Sequence, residues 1–113
     1  MSRPSGAAAR RVQAAPVFAA LGDRTRLTLV DRLSDGRPWS VTQLTVGSAM
    51  TRQAVTKHLR VLAGAGLVRD VRRGRERVWS LRPERLDEAR GALDDISRQW
   101  DAALVRLKAF VEG

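Results

Sequence analysis

"TRQAVTKHLRVLAGAGLVRDVRRGRERVWSL", residues 51–81, changes its hydrophobic period halfway along. The first part sets Ala54, Val55, Leu59 and Leu62 on one side of a helix that Thr51 is suited to cap. The other side carries Arg52, Gln53, Thr56, Lys57 and Arg60, and no acid falls between Thr51 and Arg69. Gly64-Ala65-Gly66 ends the helix, and alternation takes over. Leu67 to Arg72 reads as a strand, Arg73-Gly74-Arg75-Glu76 as a turn, and Arg77 to Leu81 as the return strand, with Arg77, Trp79 and Leu81 opposed to Val78 and Ser80. A two-stranded ribbon alone is marginal in water, so Trp79 and Leu81 are expected to brace it on the helices.

Immediately upstream, Ser40-Val41-Thr42-Gln43 is a capping box, in which the serine covers a free amide and the glutamine reaches back to the serine's own. It predicts a short helix from about residue 41 to 48 with Val41 and Leu44 inward, followed by a turn at Gly47-Ser48-Ala49-Met50. Two short helices joined by a tight turn, the second with a polar face, make the helix-turn-helix pattern. A basic hairpin directly after the second helix is the wing of a winged helix-turn-helix. Earlier still, Asp23 is placed to cap a helix through Leu27, Leu29, Val30 and Leu33, which Asp35-Gly36-Arg37-Pro38 stops. Val12, Ala15, Val17, Phe18 and Leu21 suggest a helix before it, from about residue 7 to 20.

Pro83 opens the last helix at a position where its missing amide costs nothing. Leu86, Ala89, Leu93, Ile96, Trp100, Ala103, Leu107 and Phe110 then recur at alternating steps of three and four, an a/d seam. A helix of this length spans about 40 Å at ~1.5 Å per residue, longer than the small body it would cover. Part of the seam is therefore expected to meet a second copy of the chain, since each large buried residue contributes roughly 1.5–3 kcal/mol against the cost of association.

At 113 residues the chain has room for one domain. With no cysteine, disulfides, thiol redox sensing and thiolate metal sites are excluded. One histidine and no tyrosine leave almost nothing from which to build a nucleophile and its base, so an enzyme is not expected. No apolar run approaches the ~20 residues that cross a bilayer, and "MSRPSGAAARR" lacks the apolar stretch of a secretory signal. The expectation is a cytoplasmic protein whose residues 1–6 form a disordered basic tail, an organelle transit peptide being the alternative reading of that start.

The net charge of +9 is unevenly placed. Residues 50–82 hold nine basic residues against two acids, whereas residues 83–113 hold five against seven. A face that binds a polyanion gathers charge in this way, because each neutralised phosphate releases condensed counterions. Arg, Gln and Thr on the helix after the turn are residue types that read base edges and phosphates. A solvated helix face is the plainer alternative, and an architectural protein coating DNA with little sequence preference is another. Gln and Thr add little phosphate affinity, which favours reading over coating.

These segments resemble the ArsR/SmtB family of bacterial winged-helix repressors. "ALGDRTRLTLVDRL" looks like that family's second helix, "MTRQAVTKHLRVLAGAGLV" is similar to its recognition helix and the following turn, and "RRGRERVWSL" resembles its wing. The likeness covers about residues 12–82. It implies a mainly α fold with a two-stranded β-hairpin, ordered α-α-α-α-β-β-α, with a DNA-binding domain over 7–82 and a dimerisation helix over 83–113. It implies double-stranded DNA carrying an inverted-repeat operator as partner, contacted by Thr51, Arg52, Gln53, Thr56, Lys57 and Arg60 from the helix and Arg72, Arg73, Arg75 and Arg77 from the wing. Val17, Phe18, Leu93, Ile96, Trp100, Leu104 and Leu107 are the residues expected at the homodimer interface.

His58 matches a histidine common in the family and, lying beside Leu59, is expected to be a hydrogen-bonded structural residue. Arg24 stands where the family often has a proline, with Asp23 still supplying the cap. The family's metal sensors use cysteines near the turn or Asp and His pairs on the last helix. This chain has neither, and Asp87, Asp94, Asp95 and Asp101 read as a solvated face. No metal and no cofactor are expected, and a small-molecule effector is left open.

Overall fold

The computed structural model describes residues 6–113, apart from the side chain of Ala7. The expected tail lies outside these residues except for Gly6, which opens the first helix. The elements run α1 (Gly6–Leu21), α2 (Arg24–Leu33), β1 (Trp39–Ser40), α3 (Val41–Thr45), α4 (Arg52–Gly64), β2 (Val68–Arg73), β3 (Glu76–Leu81) and α5 (Pro83–Glu112). The order follows the winged helix-turn-helix expectation with one addition. β1 pairs antiparallel with β3, Trp39 opposite Trp79 and Ser40 opposite Val78, so the sheet has three strands in the order β1-β3-β2. Two residues are too few for a period to show in sequence, and this pairing is what places β3 inside the sheet.

Local signals set most boundaries. The Asp23 carboxylate accepts from the Arg26 amide at 2.9 Å. The capping box is complete, with the Gln43 amide 3.1 Å from Ser40 Oγ and the Ser40 amide 2.9 Å from Gln43 Oε1. Thr51 Oγ1 accepts from the Ala54 amide at 3.1 Å. α3 stops at Thr45 rather than 48, since Gly47 at φ 75 already begins the turn.

The end of α4 is a Schellman motif: Leu67 donates to Leu62 O and Gly66 to Ala63 O, both at 3.0 Å. Gly66 sits at φ 78, where a side chain is disfavoured. Leu62 and Leu67 are both fully buried, the apolar contact that accompanies this cap. One motif thus ends the helix and aims the chain into β2.

The core gathers Leu29 and Leu33 of α2, Leu44 of α3, Val55, Leu59 and Leu62 of α4, Leu67, Val68 and Trp79. α1 and α5 lie against each other, with Ala14 and Val17 on one and Ala89 and Ala92 on the other buried. Val17 is only 1% exposed. Its side chain is taken up within its own protomer, which corrects its place in the expected dimer set, and Phe18 is half-buried against the same core.

α5 divides the expected seam. Ala89 and Ala92 face inward, whereas Leu93, Trp100, Leu104, Leu107 and Phe110 are exposed. From Ser97 to the end every residue but Ala103 is exposed, because α1 is too short to accompany a helix of 30 residues.

Asp95 also departs from expectation. Instead of standing on a solvated face it is buried, accepting from Arg10 Nε at 2.9 Å and Nη2 at 2.6 Å and from Arg98. The Arg10 hydrogen bonds hold its carboxyl below the ordinary aspartate value, with Arg98 assisting and burial opposing. Arg10 stands in a segment without any acid, so nothing near it in sequence announced the partner.

Candidate nucleic-acid interface

α4 presents its two faces as its spacing requires. Val55, Leu59 and Leu62 are buried, and Thr51, Arg52, Gln53, Lys57 and Arg60 are exposed. Arg52, Gln53, Thr56, Lys57 and Arg60, with Val41 of α3, line one open groove of about 520 Å³. No carboxylate lines it, and among the described residues none of its three cationic groups has an ion-pair partner. Thr56 Oγ1 donates back to Arg52 O at 2.9 Å, which fixes the hydroxyl. The face therefore offers uncompensated positive charge together with the amide of Gln53.

His58 faces the other way. Its Nδ1 lies 3.4 Å from Arg26 Nη1 and 3.9 Å from the Asp23 carboxylate, joining α4 to the start of α2. Asp23 is held below the ordinary aspartate range first by the Arg26 amide, with the Arg26 and His58 charges assisting. The histidine is thus part of the joint that seats the helix and does not belong to the groove.

The wing is a tight hairpin whose register puts Arg73 opposite Glu76 across Gly74 and Arg75. Gly74 has φ 58, the positive value that a type II′ turn requires at its first central position. Alternation sorts the arginines. Arg72 and Arg77 are directly opposed on the face of the buried Trp79, while Arg73 lies on the opposite face with Arg69, Val71 and Val78. Like charges in register repel, and Asp70 relieves the pair by holding Arg77 at 3.1 Å.

The wing's positive charge is consequently spread over two faces and a tip. Arg69 was not among the expected contacts, although its position two residues before Val71 and four before Arg73 already shared their side. It lines a hollow of about 250 Å³ with Gly36, Pro38, Val71, Arg73 and Val78.

The loop from α2 to β1 borders that hollow and is tied by its own acid. Asp35 accepts from the Arg37 amide and Nε, both at 2.9 Å, and from the Trp39 indole at 3.2 Å. These bonds hold its carboxyl below the ordinary range, the Arg37 amide contributing most. Arg37 stacks over Trp39 at 5.5 Å.

Comparison with known proteins decides the family. A helix-turn-helix domain profile matches residues 21–71. The HTH-type transcriptional regulator Rv2034 of Mycobacterium tuberculosis is 41% identical over 93 residues, covering 82% of this chain and 83% of the relative. An ArsR-like transcriptional regulator from Rhodococcus sp. RHA1 superposes with a TM-score of 0.73 at 34% identity, over 88% of this chain and 92% of that one. The homodimeric winged helix-turn-helix DNA-binding domain of Mb0332 from Mycobacterium bovis aligns with a TM-score of 0.63 at 27% identity, over 87% and 89% of the two chains.

The chain belongs to the ArsR-like helix-turn-helix transcriptional regulators. In this ArsR-like regulator, α4 is the second helix of the helix-turn-helix and the basic hairpin that follows it is the wing of the fold. Among the described residues of this ArsR-like chain, no group of three or more His, Asp or Glu is placed to hold a metal ion, and no helix is long and apolar enough to cross a membrane.

Proposed function

We propose that this regulator is a cytoplasmic homodimeric repressor that binds an inverted-repeat operator and acts by occluding a promoter, with no metal, cofactor or catalytic step. The observation that carries the reading is the acid-free groove of α4, where Arg52, Gln53, Thr56, Lys57 and Arg60 stand together. In the major groove Gln53 pairs with adenine, Arg52 with guanine, and Lys57 and Arg60 with phosphates. Thr51, at the N-terminus of α4, presents amides and a hydroxyl to the backbone. Arg75 at the tip, with Arg72, Arg73 and Arg77 behind it, grips phosphates or the adjacent minor groove.

Two copies are needed to read an inverted repeat, with half-sites about one turn apart, roughly 34–36 Å. The exposed Leu93, Trp100, Leu104 and Leu107 of α5 supply the interface, and Ile96 and Phe18 border it. The homodimeric state of the Mb0332 domain supports this arrangement.

Footprinting on the DNA upstream of its own gene, with light scattering of the free protein, tests the reading. A palindromic footprint and a dimer are expected. A monomer at micromolar concentration overturns the interface. Loss of the footprint to random competitor DNA overturns operator reading, since a specific regulator prefers its site by about 10³ or more.

A further inference from the structure

A second cavity lies behind the reading face. One side of α2 from Arg24 to Arg32, Leu44 of α3, the turn before α4 and Val55 of α4 line an open hollow of about 240 Å³. Its floor is Leu29, Leu44 and Val55, all buried, with Met50 at the side. A dry cavity of about 150 Å³ accepts a benzene ring, so this one has room for a ring and a short substituent. It is smaller than the ~300–1,000 Å³ that suits a drug-sized molecule.

The rim decides the chemistry. Its only charged groups are Arg24 and Arg32, and no carboxylate lines it. Arg32 is committed, donating through Nη1 to Leu44 O at 2.8 Å, which holds α3 against α2. The Arg24 guanidinium has no partner among the described residues, and Thr28 fixes its backbone by donating to Arg24 O at 2.9 Å. A bare phosphate would leave the apolar floor uncovered, and a hydrocarbon would leave Arg24 unpaired. A guanidinium at the mouth of an apolar hollow matches a carboxylate on an apolar body.

We propose that this hollow is an effector site for a small aromatic or branched monocarboxylate. The acid pairs with Arg24, and its body lies over Leu29, Leu44 and Val55. This rests on the reading of α4 as the DNA-contacting helix. Val55 belongs to the inner face of the same helix turn that carries Gln53 and Thr56 outward, so an occupant bears on the seat of the reading face. Such a ligand changes DNA affinity to the extent that it binds one setting of α4 better than the other.

Phenylacetate is the probe, titrated into the full chain and followed by amide resonances, with 2-phenylethanol and inorganic phosphate as controls. Saturable shifts at Thr25, Thr28, Leu44, Met50 and Val55 are expected. Either control, or the Arg24→Ala variant, should bind at least about tenfold more weakly, the worth of a charge-assisted pair. Thr28→Phe should fill the hollow and abolish the shifts while the circular dichroism spectrum stays unchanged. Saturating phenylacetate should also alter the DNA affinity of the wild type and leave that of Arg24→Ala unaltered.

Equal binding of 2-phenylethanol, undiminished binding by Arg24→Ala, or shifts confined to other residues overturns the site. A saturated hollow with unchanged operator affinity overturns its role as an effector site. The titration is read without DNA, so failure of the DNA-binding reading leaves the result on the site intact.

Discussion

The Arg10 guanidinium grips Asp95 through two nitrogens, Nε at 2.9 Å and Nη2 at 2.6 Å, tying the start of α1 to the middle of α5. Asp95 is 5% exposed, so this clamp lies at the root of the projecting half of α5. The carboxylate is held below its ordinary value of 3.8. Its contribution is therefore complete above the unfolded-state value, about 3.9, and is lost as pH falls through the lower folded value. Asp95→Asn should lower the thermal midpoint at pH 7 and flatten the loss of stability as pH falls below about 4. Calorimetry across that range checks both, and an unchanged acid profile would show that the clamp contributes nothing.

Trp79 anchors the wing, yet its indole nitrogen is buried without a hydrogen-bond partner among the described residues. Trp79→Phe keeps most of the ring and removes the orphaned donor, whose burial costs roughly 1–3 kcal/mol. It should change stability by no more than about 1 kcal/mol, whereas Trp79→Ala should cost about 3–5 kcal/mol. Urea melts of the two variants separate these outcomes.

Gly66 combines φ 78 with a close neighbour, since an added Cβ would sit 3.0 Å from Arg85 Cγ. Gly66→Ala should cost about 1–2 kcal/mol, part of it recovered in a Gly66→Ala, Arg85→Ala double variant. Stability that is additive across the two changes would assign the whole cost to the backbone.

Gln53 and Arg75 should fail differently on DNA. Gln53→Ala is expected to relax the preference at one base pair, a loss of roughly 1–3 kcal/mol on the cognate site alone. Arg75→Ala should weaken all sequences about equally and reduce the salt slope by about one. Affinity measured on operator and random duplex over a range of salt tests the pair, and two indifferent variants would show that the faces are wrongly assigned.

Trp100 and Leu104 are 66% and 55% exposed on the projecting part of α5. Replacing both with Glu should leave the protomer folded and remove the dimer, because each side chain forfeits roughly 1.5–3 kcal/mol of burial and a charge is placed in the seam. Operator affinity should fall by at least about a hundredfold as the two half-sites lose their linkage. A dimer that survives both changes locates the interface elsewhere.

The helices, the turn between α3 and α4, the wing and the exposed polar face of α4 were all legible in the chain. Each depends on neighbours: Ser40 with Gln43, Thr51 with Ala54, Gly66 with Ala63, and an apolar period that one helix satisfies alone. Such bonds close within a few residues, so the spacing of the letters already contains them.

Assembly decided the rest. Whether Val17 faces its own core, which half of the α5 seam α1 covers, that Trp39 and Ser40 extend the sheet, and that Asp95 meets an arginine 85 positions away all depend on segments brought together only by folding. A helix period shows that a face is apolar without naming what covers it. One acid among several on a charged helix looks solvated until packing carries it out of water. That selection among partners is made by long-range burial and charge pairing, and no local pattern encodes it.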